Sequence, residues 1–258
     1  WGKWNGKKLQ KFVDYFYIPF KEDYEEYAKI NEESAIFYGH PFLDQTYLAD
    51  KLCDSDYDTK FLSLTGNYFY MMPGSRNQEL KNLLPLFTEV ADSVYKSSGM
   101  HALLPVSNKN FEKYIDSIIG DRDYIHKIYS NNYYLFKNAK FSIMSSGTAT
   151  FEGLVLNIPM LICYKISRLT FFLGRMLVKS NWIGIVNILA GKEVSPEFLQ
   201  KDLNKNRLME EINKLINDNE YYNKRKMLLR DTVNDLHKYY QPDAMELFAK
   251  HIIEITGH

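Results

Sequence analysis

Short apolar runs alternate along this chain with stretches of helical spacing, and inside the runs polar and apolar residues do not take turns. DYFYIPF (14–20), AIFYGHP (35–41), NYFYMMP (67–73), HALLPVS (101–107), KFSIMS (140–145) and PMLICYKI (159–166) are of this kind. Between them lie KEDYEEYAKI, QELKNLLPLFTEVADSVYK, NFEKYIDSII, NNYYLFKNA and TATFEGLVLN, which read as helices. A strand that is apolar on both faces must be covered on both. The pattern therefore predicts an α/β fold, a doubly wound parallel sheet of Rossmann-like type. Beyond Gln200 the chain reads as charged helices, and DAMELFAKHIIEI closes it.

Composition narrows the function classes. Lys plus Arg and Asp plus Glu both number 32, so no global field draws the chain to nucleic acid or an acidic membrane; such contacts would need a local patch. The two cysteines, Cys53 and Cys163, lie far apart and read as reduced thiols of a cytoplasmic protein. The six histidines show no ligand spacing, so no metal site is expected, and no apolar run approaches the roughly 18 residues of a membrane span. The opening WGKWNGKKLQKFVDYFYIPF lacks a signal-peptide layout and reads as the interior of a longer chain.

In a parallel sheet, ligands bind where strands give way to helices at their carboxyl ends. Two junctions carry suitable chemistry. In Pro73-Gly74-Ser75-Arg76, Gly74 permits a close turn, Ser75 offers a hydroxyl, and Arg76 a fixed fork of donors suited to phosphate. In MSSGTATFEG, the residues Ser145, Ser146, Gly147 and Thr148 fall where a strand meets a helix, whose unbonded N–H groups and positive dipole end favour an anion. Glu152 lies one helical turn in from Thr148, within reach of vicinal hydroxyls such as those of a ribose. Plainer roles suit the same residues. Ser or Thr before a helix is a good N-cap, a Glu three or four residues on completes a capping box, and a Pro-Gly turn followed by an exposed Arg starts many helices. Two such junctions on one sheet favour a nucleotide diphosphate.

MPGSRNQELKNLLPLF, SSGTATFEGLVLNIPMLICYKIS and VNILAGKEVSPEFLQ, in that order and preceded by IPFKEDY and YGHPFLD, resemble the lipid-A-disaccharide synthase family, inverting glycosyltransferases of the two-domain GT-B architecture. The resemblance implies transfer of 2,3-diacylglucosamine from its UDP derivative to 2,3-diacylglucosamine 1-phosphate, giving lipid A disaccharide 1-phosphate and UDP. It implies that Gly74, Ser75 and Arg76 grip the diphosphate, that Ser145, Ser146, Gly147 and Thr148 take a phosphate at the helix start, and that Glu152 takes the ribose. Asn187, Lys192, Glu193 and Gln200 would line the donor pocket. Lys192 stands where the family pattern has Arg, which turns a bidentate contact into a point charge, and Lys21 stands where the family tends to have an acid.

The resemblance implies no metal and no other cofactor, so charge growing on the departing UDP is offset by hydrogen-bond donors and helix dipoles. The family's general base is a carboxylate of an amino-terminal domain, and no stretch of this chain matches its motif; the chain by itself is expected to bind donor but hardly to turn over. Three segments are expected: 1–43 as the trailing part of that domain and a linker, 44–232 as the UDP-sugar domain, and 233–258 as a helix packing back toward the amino-terminal domain. Implied partners are the UDP-sugar donor, the lipid-linked glucosamine acceptor, the inner face of a Gram-negative-type inner membrane as a peripheral surface, and a second copy in a homodimer, with no nucleic acid.

SRLTFFLGRMLVKSNW, taken as a helix, would set Arg168, Arg175 and Lys179 beside Phe171, Phe172 and Trp182, either at a lipid surface or simply over the sheet. His40 in YGHP is a family position near the interdomain hinge, or else a hydrogen-bonded turn histidine. Two other functions stay open: another UDP-sugar GT-B enzyme, such as a UDP-N-acetylglucosamine 2-epimerase or a peptidoglycan N-acetylglucosamine transferase, and a non-catalytic nucleotide-binding half that needs a partner chain.

Overall fold

The computed structural model describes residues 11–44, 48, 49, 52, 59–64, 66–129, 133–165 and 182–257. It divides into two compact units, one of residues 1–53 with 233–258 and one of residues 54–232.

In the smaller unit, β1 (Phe16–Tyr17) pairs in parallel with β2 (Ala35–Ile36) across the helix α1 (Lys21–Ala28). The carboxyl-terminal helix Ala244–Thr256 closes this unit through side chains far apart in sequence. The Tyr17 hydroxyl lies 2.5 Å from His251 Nδ1, and its ring meets Phe248 edge-on at 4.5 Å. Asp44 is buried and accepts a hydrogen bond from the Met245 N–H at 3.1 Å. That bond ties Asp44 to the carboxyl-terminal helix within the smaller unit.

The larger unit runs β3 (Tyr68–Met72), α2 (Asn77–Ser98), β4 (His101–Pro105), α3 (Glu112–Ile119), β5 (Ile125–Ile128), α4 (Tyr133–Lys137), β6 (Ser142–Ser145), α5 (Thr148–Val155), β7 (Met160–Tyr164), α6 (Ile185–Ala190), β8 (Glu197–Leu199), α7 (Lys205–Asn217) and α8 (Asn219–His237). The residues of α8 from Val233 on belong to the smaller unit. The six strands form one parallel sheet in the order β5-β4-β3-β6-β7-β8.

Side chains alternate between faces along each strand. Phe69, Met71, Ala102, Leu104, Ile143, Leu161 and Cys163 therefore share one face, where they pack with Leu80, Leu84, Phe87 and Val94 of α2 and with Leu208 and Ile212 of α7. The other face holds Tyr68 and Tyr70, covered by α4: the Tyr68 hydroxyl donates to the Leu135 carbonyl at 2.6 Å, and the Phe136 ring lies 4.9 Å from that of Tyr70. This two-sided burial is the physical reason the strands read as unbroken apolar runs. Within the first face, Phe69 stacks on Phe141 at 4.9 Å and 9°.

The observed strands are shorter than the apolar runs because the runs continue into the loops. Two strands lack such a run altogether. β5 is an edge strand carrying the half-buried His126 and Lys127, and β8 is three residues long. Cys163 is buried as a free thiol, and burial pushes its pKa up, so it packs as a small apolar group; Cys53 lies outside the described residues.

His40 has a turn role. Its Nδ1 accepts from the Phe42 N–H at 3.2 Å, and its ring stacks against Phe42 at 5.2 Å and lies 5.3 Å from Phe20. Burial lowers its pKa from 6.5 to about 4. Between those two values the unfolded chain binds the proton and the folded chain does not. The stability that depends on neutral His40 is thus fully present above pH 6.5 and is lost as pH falls toward 4, by at most about 3 kcal/mol. Thermal melts from pH 4.5 to 7.5 should show this slope, and His40→Asn should flatten it. Independently, Phe69→Ala should cost about 3–5 kcal/mol in denaturant unfolding, the range for emptying a large aromatic site.

Candidate functional site

The first junction follows β3. Gly74 sits at φ +107°, a region that L side chains rarely adopt. A Cβ there would overlap the Glu79 carboxylate and lie 2.7 Å from the Glu79 Cβ. Glycine is therefore needed both for the turn and for the close approach of the first turn of α2. Arg76 is the N-cap of α2, and no side chain caps that helix start. The Arg76 side chain is 83% exposed, and its guanidinium touches Glu79 Oε1 at 3.1 Å. An exposed pair of this kind is worth about 0–1 kcal/mol, so a phosphate can readily draw the arginine to itself.

The second junction follows β6. Gly147 is the N-cap of α5 in an extended conformation, and no side chain caps the helix. The capping-box alternative thereby fails: the N-cap residue has no side chain to give, and Glu152 is the fifth residue of the helix, beyond the third position that reaches back to an N-cap. The Thr150 hydroxyl turns inward to the Gly147 carbonyl at 2.6 Å. Gly147 and Thr148 are exposed, and the space where a Gly147 side chain would stand is open. Behind them Ser145 is buried, and the Ser146 N–H bonds the Cys163 carbonyl at 3.3 Å, which pins the loop to β7.

The strand order brings the two junctions together. From β3 the chain moves outward through β4 to β5, then crosses back to place β6 on the other side of β3. The order in which strands are added reverses at that point, and Met72 pairs with Met144 at the carboxyl ends of the two strands. Gly74, Ser75 and Arg76 thus leave one strand beside the strand that delivers Ser145, Ser146, Gly147 and Thr148. Such a switch point, with two helix starts and an arginine, has the donor chemistry that a phosphate-bearing ligand requires.

Glu152 lies one turn deeper on α5. Burial raises its carboxyl pKa above the ordinary value, while a hydrogen bond from the Tyr133 hydroxyl works the other way by favouring the ionised form. The neighbouring Gly153 is buried: an added Cβ would lie 2.8 Å from Met160 Cε and 3.4 Å from Phe136 Cζ. Absence of a side chain at Gly153 lets α4 pack close to α5, and this places Tyr133 next to Glu152.

The other predicted residues fall elsewhere. Gln200 directly follows β8, on the carboxyl-end side of the sheet but two strands away from β6, with φ +51°. Lys192 and Glu193 precede β8, and since β8 runs parallel to the rest they lie toward the amino end of the sheet; the topology does not bring them to the switch point. Glu193 there meets Arg225 of α8 at 3.4 Å. Asn187 is fully buried. Its Nδ2 donates to the Ser195 carbonyl and to Glu197 Oε1, and its Oδ1 accepts from the Val194 and Ser195 N–H groups, so its hydrogen-bonding capacity is spent inside the chain. In this geometry Asn187 is committed to the chain itself and Glu193 is paired with Arg225.

Sequence reading passed over Glu197. Its carboxylate accepts from the Ile183 and Gly184 N–H groups as well as from Asn187, and so seats the start of α6 on β8. The acid two residues after Ser195 in VSPE gives no sign of this in the sequence. The basic segment from Ser167 to Lys179, with Phe171 and Phe172, lies outside the described residues.

A family profile described as lipid-A-disaccharide synthetase matches residues 1–252. A lipid-A-disaccharide synthase from Persephonella marina is 32% identical over 92% of this chain, and one from Francisella tularensis subsp. novicida is 32% identical over 84%. The chain spans 63% and 58% of the length of these two relatives. Among solved structures, the S. aureus MnaA-UDP co-structure aligns with TM-score 0.64 at 16% identity, over 97% of this chain and 62% of that one. UDP-GlcNAc 2-epimerase from Neisseria meningitidis bound to UDP-GlcNAc aligns with TM-score 0.61 at 14% identity, over 96% and 63%. At such identities the likeness is one of fold.

The geometry at Gly74 gives a direct prediction. Gly74→Ala should lower stability by about 1–3 kcal/mol through strained φ and displacement of Glu79, a drop of several degrees in Tm by calorimetry.

Proposed function

The chain belongs to the lipid-A-disaccharide synthetase family, and from that premise we propose that it forms the donor-binding part of an inverting glycosyltransferase. The reaction is transfer of 2,3-diacylglucosamine from its UDP derivative to 2,3-diacylglucosamine 1-phosphate, with release of UDP and formation of lipid A disaccharide 1-phosphate. One observation carries this reading above the rest: the GSR turn and the uncapped start of α5 leave adjacent strands at the reversal of the sheet.

In this reading the diphosphate lies against the N-terminus of α5, with Arg76 swung from Glu79 onto its oxygens and the hydroxyls of Ser75, Ser146 and Thr148 extending the donor set. Glu152 takes the ribose hydroxyls. As the bond from the anomeric carbon to the leaving oxygen breaks, its electron pair departs with UDP. The growing negative charge meets an arginine and a helix dipole already in position, which lowers the barrier. The acceptor hydroxyl attacks from the opposite face, giving inversion, and its proton goes to a base.

The substrates carry acyl chains, and we assign the protein to a peripheral position on the cytoplasmic face of the inner membrane, with a homodimer as its assembly. No described helix is long and apolar enough to cross a membrane.

Calorimetric titration of UDP, with no metal added, tests the site. The chain should bind at micromolar to sub-millimolar Kd, and the double variant Arg76→Ala, Glu152→Ala should lose at least about tenfold, since charged hydrogen bonds contribute about 1.5–3 kcal/mol each. Equal binding by both proteins would remove these residues from the site.

A further inference from the structure

Tyr133 has no part in the chemistry so far. It opens α4, a helix of five residues, and its hydroxyl donates to the Glu152 carboxylate. The helix does not depend on that contact for its place. Leu135 offers its carbonyl to the Tyr68 hydroxyl at 2.6 Å, and Phe136 packs on the Tyr70 ring at 4.9 Å and near Gly153. α4 is thus fixed to β3 and α5 by its middle residues, and its first residue is left to hold the carboxylate.

A carboxylate that is to accept two hydroxyls of a ribose needs its charge and a defined rotation about its last bond. Glu152 stands on α5 with burial working against the charge. A phenol hydroxyl delivered from a rigid neighbouring helix supplies both needs: it occupies one lone pair, fixes the plane of the group and favours the ionised form. We infer that Tyr133 is a positioning residue of the nucleotide site, which holds the Glu152 carboxylate turned toward the ribose 2′- and 3′-hydroxyls of the bound nucleotide. This rests on the donor-site reading above. It adds a specificity device: Tyr133 acts on ligands with a vicinal diol and is indifferent to the diphosphate.

The experiment compares UDP with 2′,3′-dideoxyuridine diphosphate, titrated into the wild type, Tyr133→Phe and Tyr133→Phe in a Glu152→Ala background. The phenylalanine keeps the ring and loses one oxygen, and a thermal melt within a degree or two of wild type shows that the fold is retained. The inference predicts that Tyr133→Phe weakens UDP roughly tenfold, the loss of one charge-assisted hydrogen bond. It predicts an unchanged affinity for the dideoxy compound and no further effect of the substitution once Glu152 is alanine. It also predicts that UDP binding by Tyr133→Phe starts to fail at higher pH on acidification, since the bond that favoured the ionised carboxyl is gone. Equal weakening of both ligands, or of neither, would overturn the role of Tyr133 while leaving the site intact. Failure of the wild type to bind UDP at all would overturn the site and this inference together.

Discussion

The parallel pairing of β3 with β6 is the interaction on which the rest depends. Met72 beside Met144 sets the register, and that register decides that the GSR turn and the SSGT turn emerge as neighbours. Were β6 to pair at the outer edge beside β5, the two turns would leave the sheet three strand positions apart, each a weak anion site by itself. Aromatic packing maintains the pairing from both faces, with Phe69 on Phe141 on one side and Tyr70 on Phe136 on the other. The core and the candidate site are therefore not separate devices: the stacking that excludes water also sets the two helix starts side by side.

Around this point the chain divides its polar groups between two duties. Asn187 and Glu197 are spent on the chain itself, as they satisfy the backbone N–H groups at 183, 184, 194 and 195 that would otherwise be left without partners near the β8 edge. Arg76, Ser75 and Thr148 are exposed, and the helix starts beside them have no side-chain cap. Groups whose hydrogen bonds are filled within the chain hold shape, and in the function proposed above the exposed ones meet the ligand. Glu152 stands between these classes, half-buried and held from one side by Tyr133.

Much of this was legible in the amino-acid sequence, for definite reasons. Central strands buried on both faces leave unbroken apolar runs, so β3, β4, β6 and β7 could be read directly, and the turns that follow β3 and β6 stood out by their Gly, Ser and Arg. β5 was hidden because an edge strand tolerates His126 and Lys127, and β8 because three residues make no pattern. With β8 unseen, nothing in VNILAGKEVSPEFLQ could say which end of the sheet Lys192 and Glu193 approach. The duties of Asn187 and Glu197 are set by backbone groups that only the fold brings near, and the bond from Tyr133 to Glu152 depends on Gly153 letting two helices close. Such contacts have no spacing signature in one dimension.

In the proposed function, the β3 and β6 junctions form one ligand-binding edge. The most direct measurement is amide chemical-shift mapping by NMR as UDP is added to the chain. The largest shifts are expected at Gly74 to Arg76 and at Ser146 to Ala149, with Lys192 and Glu193 unmoved. Shifts centred on residues 191–196, or spread evenly with none at the two junctions, would contradict it.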